Sequence, residues 1–323
     1  MPSIELVAGT HIPNVKWWHT ENSYGSNSYL VRAGHTLYII ESGLGGLHRS
    51  QLLAATAKFS NVGKVYLLNT HWHLDHSGNS MILDELGRRF PEVHYFVPEI
   101  AKQNMQTFME STTASVEVDM GLAKAEWLRE GDKEEFHLGD VLFQGWKVEE
   151  AYLLSTPGHT ADSLSIYFEG EKAIFTGDVL WYVNPNGVEG SIREVLQSAA
   201  KVKNLVQEEG VDYLGVGHFN PIEGKQKIIA YITDYEEKER ALVSRLEEVV
   251  AASDRVSLEH CLDRLRESDH PAIKEALSIN YPYSPSYLHR FIRVFFREKG
   301  WHEVDKEAGG TWSPKYPPNH ASL

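Results

Sequence analysis

The sequence predicts an α+β fold in two parts: a strand-rich region over residues 1–222 and a helical region over residues 223–323. Three observations predict it. Short apolar or alternating runs recur from residue 28 to residue 216, separated by Gly, Pro and Asn turns and interleaved with a few helical patterns. After Pro221 the composition turns charged and strongly helix-favouring. Within the first of these stretches, residues 65–77, VYLLNTHWHLDHS, place four metal-ligand side chains within six positions directly after an apolar strand.

Taken in order, residues 3–8 and 28–40 read as strands, with Ser28 to Val31 and Thr36 to Ile40 flanking Gly34 as a hairpin. The glycines of Glu41-Ser42-Gly43-Leu44-Gly45-Gly46 match neither a dinucleotide nor a P-loop spacing, so this segment reads as a turn beside the site. A short helix over 52–59, a strand over 64–69 and a helix over 79–89 follow, then a strand at 94–97. From Pro98 to Glu130, Met105, Phe108, Met109, Met120, Leu122 and Trp127 recur without a clean period. Strands return at 141–149, 151–155, 163–168 and 172–177, and a Gly/Pro/Asn loop spans 181–190. Ser191 caps a helix running to Glu208, and a strand over 212–216 follows. Helices are then predicted over 225–252, 257–267 and 271–279, and a last one from Ser284-Pro285 to Gly300; residues 303–323 are expected to trail on the surface.

The cluster His71, His73, Asp75 and His76 is costly to bury unless a cation holds it. The i, i+2 spacing puts His71 and His73 on one side of an extended segment, and Asp75 and His76 can turn towards a neighbouring position. That arrangement suits two adjacent metal ions better than one.

This HxHxDH pattern resembles the signature of the metallo-β-lactamase-fold hydrolases, and the family's other motifs follow in its order. Thr156-Pro157-Gly158-His159-Thr160, Phe175-Thr176-Gly177-Asp178 and Gly215-Val216-Gly217-His218 match the turns carrying the third histidine, the bridging aspartate and the last histidine. The resemblance covers residues from about Val31 to Pro221. It implies an αββα sandwich with the site at its open edge. It also implies that His71, His73 and His159 hold one divalent metal ion, that Asp75, His76 and His218 hold a second, and that Asp178 bridges them. An imidazole and carboxylate set suits zinc best and admits iron or manganese. The reaction class that follows is hydrolysis of an ester, thioester or lactone of a small molecule by a metal-held hydroxide. Asp75 is a candidate for proton transfer as well as ligation. Tyr182, close after the bridging aspartate, is a candidate to polarise the substrate carbonyl as a tyrosine does in similar lactonases, although Trp181 occupies the nearer offset. The helical C-terminal region is similar to that of glyoxalase II, but that family's basic substrate contacts do not map onto His289, Arg290 and Arg293, which read as a solvated face.

Composition narrows the alternatives. A net charge of −14 disfavours nucleic acid or an anionic membrane as partner, which weighs against a phosphodiesterase or nuclease of the same fold. A mononuclear iron persulfide dioxygenase shares part of the motif set, but the complete second site favours hydrolysis. The single cysteine, Cys261, allows no internal disulfide, and it falls in a helical pattern as a buried residue. The N-terminal stretch lacks a basic segment followed by an apolar one, and no run approaches the ~20 apolar residues of a membrane span, so a cytoplasmic protein is expected. The apolar faces of the C-terminal helices require a partner surface: the catalytic region, the pocket or a second copy in a homodimer.

Overall fold

The apolar runs of the first part pair into two sheets that face each other. The structure is a computed structural model, and it describes residues 4–6, 26–111, 118–181, 184–185, 189–278, 284–305 and 310–314. The first sheet is built from β1 (Ile4–Leu6), β2 (Tyr29–Ala33), β3 (Thr36–Ile40), β4 (Lys64–Leu68), β5 (Glu92–Pro98) and β6 (Glu126–Leu128), side by side in that order. The pairs β1/β2 and β2/β3 are antiparallel, and β3 to β6 run parallel. Its crossovers are α1 (Gly46–Thr56), the short α2 (Leu74–Ser77) and α3 (Ile82–Gly87), and α4 (Lys102–Ser111).

The second sheet holds β7 (Glu134–Leu138), β8 (Val141–Val148), β9 (Ala151–Ser155), β10 (Leu164–Phe168), β11 (Ala173–Phe175), β12 (Tyr213–Gly215) and β13 (Ile222–Glu223). It is antiparallel except where α5 (Ile192–Glu209) carries the chain from β11 to the parallel β12. Ser191 caps α5 by accepting the Glu194 amide, as its sequence predicts, and Gly210 ends it at φ 68°.

Alternation along the strands makes the layers. In β4, Tyr66 and Leu68 face the second sheet, while Val65 and Leu67 face α1, α3 and α4. Both faces are covered, so β4 and β10 read as nearly continuous apolar runs. Between the sheets, Tyr38, Tyr66, Trp146, Leu153, Ile166 and Phe168 interlock, and the Tyr38 ring meets Phe168 edge-on at 5.0 Å. The Tyr38 hydroxyl also accepts the Glu150 amide at 3.1 Å and donates to the Val148 carbonyl at 3.4 Å, pinning one sheet to the other. On the outer face of the second sheet, Tyr167, Ile174 and Leu214 pack against Val195, Val202 and Leu205 of α5. This is the αββα sandwich that the motifs imply.

The C-terminal helices continue the outer layer. In α6 (Lys225–Ala251), Ile228, Ile232 and Tyr235 join the cluster on the second sheet. Its second half, through Leu242, Leu246 and Val249, packs with α7 (Leu258–Arg266), α8 (Pro271–Ser278) and α9 (Ser284–Glu298). No described helix is long and apolar enough to cross a membrane. The basic residues of α9 sit in surface contacts: His289 3.1 Å from Glu259, Arg293 3.6 Å from Glu303, and Arg290 over the Tyr287 ring.

The end of the chain departs from expectation. Within the segment expected to trail on the surface, β15 (His302–Asp305) and β16 (Thr311–Ser313) pair with each other and with β14 (Val256–Ser257). The reason is aromatic packing: the fully buried Phe296 stacks on Trp301 (5.4 Å) and on Trp312 (5.1 Å), which draws the segment back onto α9. The unpatterned stretch after Pro98 contains α4 and β6, whose few apolar residues are too sparse to show a period.

Two measurements check this packing. Phe296→Ala removes a buried ring between two indoles and is expected to lower unfolding free energy by about 3–5 kcal/mol in denaturant titration. Burial pushes the Cys261 thiol up to about 12, so it should resist thiol reagents in the native protein and react on unfolding.

Candidate metal centre

The side chains singled out by the motifs converge at the edge where both sheets end. β4 delivers Asn69, Thr70 and His71, and the chain then turns into α2, which carries Asp75 and His76. His159 follows β9, Asp178 follows β11 and His218 follows β12. The two halves are tied at this edge, where the Leu164 amide donates to the Thr70 carbonyl (2.8 Å) and the Asn27 amide to the Gly217 carbonyl (2.6 Å). Glycine is required at two of these turns. Gly177 sits at φ 51°, and a Cβ there would overlap Thr70 Oγ1. A Cβ on Gly217 would overlap the Asp178 carboxylate.

Hydrogen bonding assigns the tautomers of the first group. The Thr70 hydroxyl donates to Glu41, so His71 Nδ1–H donates to Thr70 Oγ1 (3.1 Å) and its Nε2 keeps the lone pair. His73 Nε2–H donates to Glu189 Oε1 (3.3 Å), leaving Nδ1 bare. Asn184 Nδ2 donates to the carbonyls of Asp178 and Val179, so its Oδ1 accepts His159 Nδ1–H (2.8 Å) and His159 Nε2 is bare. His73 Nδ1 lies 3.0 Å from His71 Nε2 and 3.0 Å from His159 Nε2. Lone pairs brought this close repel unless a cation sits among them. The donor set therefore fits a metal ion.

A second group adjoins the first. His218 Nε2 lies 3.3 Å from Asp75 Oδ2, and His76 Nε2 lies 3.6 Å from the same oxygen. Asp178 reaches both groups: His76 Nε2 at 3.4 Å, His218 Nε2 at 3.1 Å and His159 Nε2 at 3.6 Å. His76 Nε2 and Asp178 Oδ1 are buried without a hydrogen-bond partner among the described residues. All seven residues named from the motifs are thus brought together, the three-residue groups His71/His73/His159 and Asp75/His76/His218 each having ligand atoms within 4.8 Å of one another. Tyr182 lies outside the described residues.

The electrostatics follow this geometry. Burial, reinforced by neighbouring imidazoles, pushes His71 well below the usual histidine range, and burial lowers His159 to about 4. Both are neutral, as ligation requires. Burial also opposes charge on His76 and His218, but the surrounding carboxylates together outweigh it and raise both: Asp178 foremost, with Asp75 beside both rings and Glu41 beside His76. Against its own burial, Asp178 is held well below the usual carboxylate range by His218 and His76.

Some functional neighbours carry no sequence signal. Glu41, fully buried at φ 66°, accepts the Thr70 amide (3.1 Å) and the Thr70 hydroxyl, and its Oε1 lies 3.0 Å from His76 Nδ1. A left-handed non-glycine residue is strained, and here the contacts to Thr70 and His76 hold it in place. Asn184 and Glu189 lie in the loop expected over 181–190, where composition indicates a turn and nothing more. Aromatic rings border both groups. Trp72 packs on His73 (4.8 Å) and Phe108 (6.4 Å), and Trp181 stacks on His218 (4.6 Å) and meets Tyr287 of α9 (5.6 Å).

Known proteins agree with this arrangement. The sequence profile of the metallo-beta-lactamase superfamily matches residues 23–218. An atrochrysone carboxyl ACP thioesterase of Aspergillus fumigatus is 28% identical over 232 residues, covering 70% of this chain and 61% of that protein. A beta-lactamase-like protein 2 homolog of Caenorhabditis elegans is 25% identical over 229 residues, covering 69% and 66%. The chain thus spans less than two thirds of either relative's length. Among solved structures, a metallo-beta-lactamase family protein from Thermus thermophilus superposes over 98% of this chain and 99% of its own, with a TM-score of 0.56 at 17% identity. A stereoselective inverting sec-alkylsulfatase from Pseudomonas sp. superposes over 94% of this chain and 51% of its own, with a TM-score of 0.59 at 16% identity; both show likeness of fold alone. With its profile matched over more than half the chain, its sandwich formed and its motif residues gathered at one edge, this protein belongs to the metallo-beta-lactamase superfamily.

Proposed function

We propose that this protein is a dinuclear metal-dependent hydrolase that cleaves the ester, thioester or lactone bond of a small molecule. The observation that carries this reading is the convergence of three bare imidazole lone pairs on one position and of Asp75, His76 and His218 on an adjacent one, with Asp178 reaching both. His71, His73 and His159 would hold one divalent cation, Asp75, His76 and His218 a second, and Asp178 both. Zinc suits this nitrogen and carboxylate set best. When bound, such cations supply Lewis acidity and a nucleophile drawn from water at neutral pH.

The chain's own residues supply the rest. Glu41, Glu189 and Asn184 orient the histidine rings, and the buried edge excludes bulk water from one side of the site. Asp75, with its side chain 26% exposed, is the site carboxylate best placed to exchange a proton with substrate or solvent.

Within this class we favour a thioester with a bulky aromatic acyl group. Trp72 and Phe108 on one side, and Trp181 and Tyr287 on the other, offer flat apolar faces beside the reacting centre. The thioesterase among the relatives supports the choice of bond.

Metal analysis of protein purified without added metal is expected to find about two zinc ions per chain, and Asp178→Asn to lose at least one of them. A panel of thioesters, lactones and phosphodiesters then tests the bond; turnover confined to phosphodiesters would sink the proposal. Tyr287→Ala, at a position outside the proposed ligand set, should raise KM for an aromatic acyl thioester by about three- to tenfold and leave that for an acetyl thioester nearly unchanged.

A further inference from the structure

The buried carboxyl of Glu239 has no part in the chemistry described so far. It lies in the middle of α6, 1% exposed, on the helix that leads into the C-terminal region. Its Oε1 accepts the backbone amide of Asn184 at 2.8 Å, while Oε2 is buried with no hydrogen-bond partner among the described residues. Isolating a carboxyl in this way is costly unless its position has a use.

The Asn184 it holds is the residue that orients His159. The Asn184 amide nitrogen is committed to the carbonyls of Asp178 (2.6 Å) and Val179 (3.2 Å), which turns its oxygen towards His159 Nδ1. One asparagine therefore touches the backbone of the bridging aspartate, the ring of a ligand histidine and the buried acid of α6. Burial pushes the Glu239 carboxyl well above the usual range, with the Asn184 amide pulling the other way, and the bond to that amide needs only an acceptor oxygen, which Oε1 supplies.

We infer that Glu239 is a positioning residue for the metal centre: through Asn184 it fixes His159 in the Nδ1–H tautomer, with Nε2 bare and aimed at His73 and Asp178. The helical C-terminal region thereby contributes to metal binding without supplying a ligand. The inference rests on the metal-centre reading for its consequence, but the tautomer itself is a property of the metal-free chain.

The test compares wild type with Glu239→Gln, Glu239→Leu, Asn184→Ala and the Asn184→Ala/Glu239→Leu double variant. Nitrogen NMR of the histidine rings in metal-free protein reads the His159 tautomer, with the signal assigned by its loss in His159→Gln. Wild type and Glu239→Gln, whose amide oxygen still accepts, should show Nδ1–H; Glu239→Leu and Asn184→Ala should show mixed tautomers. In chelator competition, Glu239→Leu and Asn184→Ala are expected to weaken zinc binding by about 10- to 100-fold and Glu239→Gln by less than about threefold. The double variant should lose no more than Asn184→Ala alone, because both changes cut one relay. A folded Glu239→Leu with wild-type tautomer and zinc affinity would overturn the inference, as would additive losses in the double variant. Should Glu239→Leu not fold, Glu239→Asp withdraws the oxygen by one methylene and should move both readouts in the same direction; unchanged values there overturn the inference equally. A wild type with the Nδ1–H tautomer and no affinity for zinc would support the relay and overturn the metal reading.

Discussion

Imidazole lone pairs cannot be packed face to face at hydrogen-bond distance without something positive between them, and much of this molecule is arranged to hold them there. Four of the five rings are turned by a bond to the far nitrogen or by a facing carboxylate: Thr70 behind His71, Glu189 behind His73, Glu41 beside His76, Asn184 behind His159. Those partners are in turn held by strand ends, a left-handed glutamate and the buried acid of a distant helix. The sandwich gives each turn a fixed origin, and glycines at 177 and 217 let the turns approach closely enough to meet. Stability and site geometry are hard to separate here, because the same buried polar contacts serve both.

The C-terminal helices extend this logic. They bury their apolar faces against the second sheet and against one another, and α9 brings Tyr287 to the ring that stacks on His218. From α6 comes the acid that bonds Asn184. The region is continuous with the layer that covers the second sheet and reaches the edge with the candidate metal site at two points, one aromatic and one polar.

The sequence made the candidate ligands legible because each sits in a short motif whose residue types are chemically restrictive: four ligand-type side chains in six positions after an apolar strand are costly to bury together without a cation among them. The strands of the sandwich were legible where alternation or continuous apolar runs survived, as in β4 and β10. Glu41, Asn184 and Glu239 were not. Their roles depend on contacts across 29, 25 and 55 positions respectively, and a lone acid or amide within a turn or a charged helix looks the same whether it faces water or a histidine. The last strands were missed for a related reason: what recruits them is the stacking of Trp312 on Phe296, a pairing of residues from separate segments that no local pattern records.

The site straddles a seam. His71, His73, Asp75 and His76 belong to the first sheet, and His159, Asp178 and His218 to the second. The distance between ligand groups is therefore set by how the two sheets are seated on each other, by Tyr38 bridging to Val148 and Glu150 and by the aromatic layer around it. The sandwich interior acts as the gauge block of the candidate site: a methylene added or removed there changes the spacing of side chains it never touches. Conversely, a cation bound at the edge is a clasp between the two sheets, and its affinity includes whatever elastic work the interior does to hold them in register.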